Sequence, residues 1–254
     1  MFKIFMLLLL LLTSTTSYAA QKIRLGVEAI NYFPLYGTFD ASDNNAGEYV
    51  GLSADIFRLY NKSQSDFEIT FEPRPIKRLF SEFLSDDSTL DAKFPDNPYW
   101  AADLKKGIKV VYSDSVIDYT DGLFLLKENK DMPVTKIKSM GILGGFTPFD
   151  YLDQIKSGQI KVQDSLNTSS LLEKLVQKRV ETVYINKFIG NCKISKVHAD
   201  DTVMFGDALP HTDSHYFLST VKFPKLITSF NTFYKSHKSE IEKMTQEYVE
   251  KKCK

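Results

Sequence analysis

Cysteine is scarce in this chain: Cys192 and Cys253 are its only two. Neither stands in a CxxC pair or beside a histidine, so catalytic and metal-binding roles for them are set aside. An excess of charge of one sign is also lacking, since 32 basic side chains face 32 acidic ones. That balance excludes a strongly basic nucleic-acid binder, which needs clustered Lys and Arg to neutralise phosphates. The sequence has no nucleophile elbow, phosphate-binding glycine loop or metal motif, so enzyme classes built on those devices have no support. No internal repeat and no low-complexity linker interrupts it.

Long apolar runs are missing as well, with one exception at the start. Lys3 is followed by an unbroken apolar run from Ile4 to Leu12 and by small residues at Ser17 and Ala19. The run is about half of the roughly 20 residues needed to span a bilayer. It reads as a secretory signal peptide cleaved after Ala19. No cysteine follows that point to carry a lipid, and no later segment is apolar enough to cross a membrane, so a freely soluble exported product is expected. Cleavage removes only Lys3 among the charges, leaving 31 basic against 32 acidic side chains. In an oxidising compartment the two cysteines read as a single disulfide, with two unpaired buried thiols as the alternative. Such a bridge contributes about 4 kcal/mol in the chain-entropy model, less any strain. With 43% hydrophobic residues, the mature chain can build a proper core as one large domain or two small ones.

The pattern along the chain alternates strands with helices. KIRLGV (22–27) and FEITFE (67–72) read as strands. Ser53 reads as the N-cap of a helix that buries Ile56, Leu59 and Tyr60, and Pro75 as the first turn of a helix burying Ile76, Leu79, Phe80 and Phe83. LDAKF and IKVVY are short strands around the rigid aromatic loop Asp91–Trp100. A second block repeats the plan: KSMGILG is a strand, Thr147-Pro148 opens a helix, QIKV and ETVYI are strands, and Leu171, Leu172, Leu175 and Val176 form a buried stripe. Two helices with a break near His237 end the chain. Strands separated by helices argue for βαβ units and a parallel sheet, hence an α/β fold. Two ordered segments, 115–126 and 211–220, are the candidates for joining the blocks.

In that order, NYFPLYG, EYVGLSADIFRLY, LDAKF, KKGIKVVYSDSV, MGILGGFTPFDYL, LLEKLVQKRVETVYINKF and HYFLSTVKFPKLITSFNTFYKSHKSEIEKM resemble the bilobed periplasmic (type II) solute-binding proteins of family 3, the substrate-binding components of amino-acid ABC transporters. The resemblance spans essentially the whole mature chain. It implies two α/β lobes joined by a two-segment hinge. After a signal peptide at 1–19, lobe 1 is discontinuous, 20–117 plus 212–254, and lobe 2 is 118–211 with hinge segments at both ends. It also implies a monomer in the periplasm that captures a small polar or cyclic solute in the interlobe cleft, without cofactor, metal or nucleic acid, and delivers it to an inner-membrane transporter. A related receptor ligand-binding core carries a disulfide in the places of Cys192 and Cys253.

The same resemblance assigns candidate ligand-binding residues. Tyr32, before Pro34, takes the place of a ligand-stacking aromatic. The carboxylate-clamping arginine is replaced by Lys106, and the ammonium-binding aspartate by Asn186. With that pair missing, a standard α-amino acid is disfavoured. Arg78, then Arg74, is the expected replacement cation. Thr147, at a helix start facing the cleft, offers a hydroxyl and free N–H groups. Phe94 and Trp100 are expected to stack on the solute, and Asp96 and Asn97 to hydrogen-bond it. His211 and His215 have the spacing of a helical zinc pair but read as a turn and strand, where that geometry fails. A dehydratase-like enzyme on the same scaffold, with Asp96 or a cleft histidine as acid, and a soluble sensor for a membrane receptor are the alternatives.

Overall fold

The computed structural model describes residues 19–38, 47–64, 66–196 and 199–251. The predicted leader up to residue 18 and Cys253 lie outside them. The chain opens with β1 (Gln21–Glu28) and a small antiparallel sheet of β2 (Asn31–Tyr32), β3 (Tyr36–Thr38) and β4 (Tyr49–Val50). Then come α1 (Leu52–Ser63), β5 (Phe67–Arg74), α2 (Ile76–Phe83), β6 (Ala92–Asp96) and β7 (Val111–Tyr112). The long β8 (Ile117–Leu126) leads to β9 (Ser139–Leu143), α3 (Leu152–Lys156), β10 (Lys161–Ser165) and α4 (Thr168–Val176). After β11 (Thr182–Asn186), α5 (Lys187–Lys196) and β12 (Val203–Phe205), the chain returns through β13 (Thr212–Thr220) to α6 (Pro224–Ser236) and α7 (Lys238–Lys251).

The strand order is β10-β9-β11-β8-β13-β6-β1-β5, with β12 on β8 and β7 on β13. Two parallel groups stand at its ends. In one, β1 pairs with β5 and β6; in the other, β9 pairs with β10 and β11. Between them β8 and β13 run antiparallel, from Thr212 opposite Asp121 to Tyr216 opposite Ile117. The far end of β13 then turns to β6 and β7. These two strands are the segments 115–126 and 211–220 expected to join the blocks, and they are the path by which the chain passes between the groups.

Apolar alternation explains why β8 is held so firmly. Leu123 and Leu125 pack with Met140, Tyr151 and Tyr184, while Phe124 and Leu126 belong to the main core with Ile185, Ile189 and Phe205. Both faces of the strand are therefore buried, as in parallel sheets covered by helices. Helices α1 and α2 cover the first group, α6 packs on β13 and β7, and α4 and α5 cover the second group. Among the described residues no helix is long and apolar enough to cross a membrane.

Several local readings need correction. Ser53 does not cap α1. It lies buried in the first turn, where its hydroxyl shares a 2.9 Å hydrogen bond with the Tyr49 phenol, and Gly51 holds the cap position with φ +103°. A Cβ there would sit 2.9 Å from the Leu35 and Pro34 carbonyl oxygens, so glycine is required by backbone contact as well as by φ. Pro75 precedes α2 rather than opening its first turn. Thr147 caps nothing: a 3₁₀ turn (Phe149–Tyr151) follows it before the five-residue α3. The loop NYFPLYG is a tight hairpin, β2 and β3. Helix α5 shows no clean stripe in the sequence, because Ile189, Gly190, Cys192 and Ile194 are all buried. Cys192 is not a free thiol.

Candidate functional site

A cavity of about 350 Å³ lies between the two strand groups, with walls drawn from both. From the first group come Glu28 at the end of β1, Tyr36 of β3, Ile76, Lys77 and Phe80 of α2, and Trp100, Ala101 and Leu104 of the loop after β6. From the second come Ile142 of β9, the loop residues Gly145, Phe146 and Thr147, and Asp164 of β10. Asp121 and Tyr216, on the two crossing strands, complete it.

The aromatic rings on and just behind the cavity wall form a continuous chain. Phe146 lies 5.5 Å from Tyr32, Tyr32 5.2 Å from Tyr36, Tyr36 5.7 Å from Tyr216, and Tyr216 5.7 Å from Trp100, all centroid to centroid. Such offset and edge-on pairs hold one another's rotamers. Trp100 also reaches Tyr119. A ligand would therefore meet preset ring faces.

Two carboxyl groups are set into this apolar wall. Glu28 is 2% exposed and accepts a 3.0 Å hydrogen bond from the Tyr36 hydroxyl. Burial pushes its carboxyl up to about 7, against the opposing pull of Lys93 and Tyr36. Asp121 faces Asn186 on β11 and Thr212 on β13. Burial raises its carboxyl to about 7 as well, with the Asn186 side chain pulling down and Glu28 and Asp150 pushing up. Its Oδ1 is buried without a hydrogen-bond partner. Orphaned buried acceptors are uncommon, and the residue that carries this one lines the cavity.

A charged layer lies behind the wall. Lys93 is fully buried, bonds the Pro95 carbonyl, stands 3.6 Å from Asp96 and lies 4.0 Å over the Phe80 ring. Lys105 bonds Asp96 at 2.9 Å and the Asn97 carbonyl at 2.8 Å. The Ser219 hydroxyl donates to Asp96 at 2.7 Å. Asp96 is thus the shared counter-ion of two buried lysines and has no free oxygen to offer.

The sequence-predicted site residues divide accordingly. Trp100 and Thr147 line the cavity. Tyr32 stands one layer behind it, where its phenol oxygen accepts the Asn186 backbone N–H at 3.1 Å. The Asn186 side chain accepts from Ile189 N–H at 3.0 Å, and Asn186 borders a separate open groove behind the crossing strands. Phe94 is core, packed edge-on to Phe57 and Tyr216. Asp96 and Asn97 hold the loop together; the Asn97 amide donates to Ser214 and the His215 carbonyl. Arg78 corrects the expected cation: its side chain is 68% exposed and pairs outward with Glu82. Arg74 binds Glu72 and Glu82. Lys106 is exposed and bound to Asp103, while its neighbour Lys105 is the buried one. His211 precedes β13 and His215 pairs with Asp118 at 2.6 Å, both away from the cavity. Glu28, Tyr36, Phe80, Asp121, Phe146 and Tyr216 were missed; the signal was an acid embedded in each of the apolar stretches GVEAINYF and YTDGLFLL.

The two groups approach closely around the cavity. Gly145, at φ +104°, comes so near α2 that a Cβ would lie 3.0 Å from the Ile76 side chain. Lys193 bonds the Asn31 side chain at 3.3 Å, and Lys77 stands 3.9 Å from Asp164 at the rim.

No protein-family model matches the chain, and no curated protein is similar to it. Solved structures are similar in fold. An ancestral arginine-binding protein bound to arginine has a TM-score of 0.69 at 19% identity, covering 91% of this chain and 99% of that one. An ABC uptake transporter substrate-binding protein from Streptococcus pneumoniae with bound histidine has 0.68 at 15%, covering 89% and 92%. An ancestral amino-acid-binding protein described as a precursor of cyclohexadienyl dehydratase has 0.67 at 17%, covering 90% and 96%. The chain has the bilobed type II periplasmic-binding-protein fold, with β8 and β13 as its crossing strands.

Proposed function

We propose that this protein is a solute-binding protein of the family 3 kind, which captures a small organic solute in the interlobe cavity and hands it to a membrane transporter. One observation carries the reading: a cavity of about 350 Å³ between the lobes, with aromatic walls and two buried carboxyl groups among its lining residues. Sites of that size, apolar lining and few polar groups are what small-molecule binding uses. The lobes run 20–117 plus 212–254 and 118–211, exchanging across β8 and β13. The protein leaves the cytoplasm through the leader at 1–19 and works as a soluble periplasmic monomer, with Cys192 bridged to Cys253. Amino-acid binding by the similar structures supports a solute of comparable size. A ligand that binds only the folded form raises stability by mass action. A melting panel of amino acids, amines, organic acids and cyclic solutes should include compounds that raise the midpoint, and silence across the panel overturns solute capture.

A second reading has one observation in its favour. A carboxyl held near 7 in an apolar cavity, as Glu28 is, is what a general acid needs. A dehydratase-like enzyme would turn over a bound compound and lose turnover, with binding retained, in Glu28→Gln.

A further inference from the structure

Charge around the cavity is not balanced from within. Two lysines, Lys93 and Lys105, stand against three buried carboxyl groups, Glu28, Asp96 and Asp121. Both lysines are committed to Asp96, and Lys93 is also the nearest positive charge acting on Glu28. Asp121 has no lysine or arginine beside it: its hydrogen-bonding neighbour is the neutral Asn186 side chain, and its Oδ1 has no partner. The one basic side chain on the cavity wall, Lys77, is largely exposed and pairs with Asp164 at the rim. A buried carboxylate is stable only when paired and hydrogen-bonded. The walls that would surround its partner are ring faces, which attract a cation from the sides. Among the described residues that line the cavity there is no arginine, and the lysine, Lys77, stands at the rim beside Asp164.

We infer that the cavity takes a small organic cation, an amine or guanidine on an apolar or aromatic body without a carboxylate, with the Asp121 carboxylate as its acceptor and Glu28 as the second counter-charge. Trp100, Phe80 and Phe146 enclose its body. This rests on the solute-capture reading and narrows it to one chemical class. With both raised carboxyls ionised, the ligand supplies the one positive charge that the five groups lack.

The test is isothermal titration of the mature protein with five probes at pH 8: tyramine and agmatine as cations, tyrosine and arginine as the same bodies bearing a carboxylate, and 3-(4-hydroxyphenyl)propionate as a carboxylate without the amine. At least one cation is expected to bind ten-fold or more tightly than its amino acid, with the propionate silent. Asp121→Asn should weaken that cation at least ten-fold, and Glu28→Gln less, each checked for folding by a single cooperative melting transition. If an amino acid or the propionate binds as tightly as the cations, or if both variants keep cation affinity, the assignment is overturned. Silence from all five also overturns it, while the broader melting panel decides separately whether any solute is captured.

Discussion

The backbone N–H of Asn186 donates to the Tyr32 phenol oxygen at 3.1 Å, joining residues 154 apart in the chain and on opposite lobes. The tyrosine that the sequence offers as a ligand platform is thereby a bolt between the lobes, backed by Phe146 at 5.5 Å. Tyr32→Phe removes the acceptor and leaves a buried N–H unpaired where the two strand groups meet, a penalty of about 1–3 kcal/mol. Ligand affinity should fall about ten-fold or more, with far less change in the unfolding midpoint of the ligand-free protein. Calorimetric affinity and melting, measured side by side, check the split.

Asp96 should behave as a structural group. Asp96→Asn leaves Lys93 and Lys105 buried without their shared counter-ion, and breaking a buried ionic cluster costs about 3–5 kcal/mol. Urea unfolding should show that loss, whereas Arg78→Ala, which removes only an exposed pair with Glu82, should stay within about 0.5 kcal/mol of the parent.

The two raised carboxyls make stability depend on pH in a definite direction. Around Glu28 stand Lys93, Tyr36 and Asp96; around Asp121 stand Asn186, Glu28 and Asp150. Both are held near 7 when folded, above their unfolded values, so between those limits the folded state binds more protons than the unfolded one. Their contribution to the ligand-free protein is full in acid and is lost as pH rises through 7, on the order of 3 kcal/mol for each. From pH 4 to 8 the melting midpoint of the parent should fall more steeply than that of Glu28→Gln, which keeps only the Asp121 dependence. Affinity for a cation should run the opposite way, strengthening as pH rises and both groups ionise.

Much of the fold is legible in the residue pattern, and the site much less so. Helices α1, α2, α4 and α6 announce themselves because Ile56 and Tyr60, or Leu171, Leu172 and Leu175, repeat at helical spacing. The joining segments are legible as ordered because no linker composition lies between the blocks. Ser53 and Thr147 misled because a hydroxyl beside a helix start reads as a cap, whereas Gly51 and a 3₁₀ turn do the work in space. Phe94 and Asp96 belong to an aromatic, polar loop that resembles a binding rim, yet β6 carries both inward, one to the core and one to two lysines. Glu28 and Asp121 stayed hidden because a lone acid in a strand reads as an edge residue until the facing lobe covers it. Lys105 and Lys106 differ only by which side of a turn they leave, a distinction that needs coordinates.

Trp100 is the only tryptophan in the chain and lines the cavity, so its fluorescence reports occupancy directly. Titrating the ligand-free protein with tyramine and agmatine at pH 8 is predicted to give a saturable change in Trp100 emission for at least one of them, lost in Asp121→Asn. An emission signal that stays flat with both cations, or that saturates identically in the Asp121→Asn protein, would contradict capture of an organic cation between the lobes.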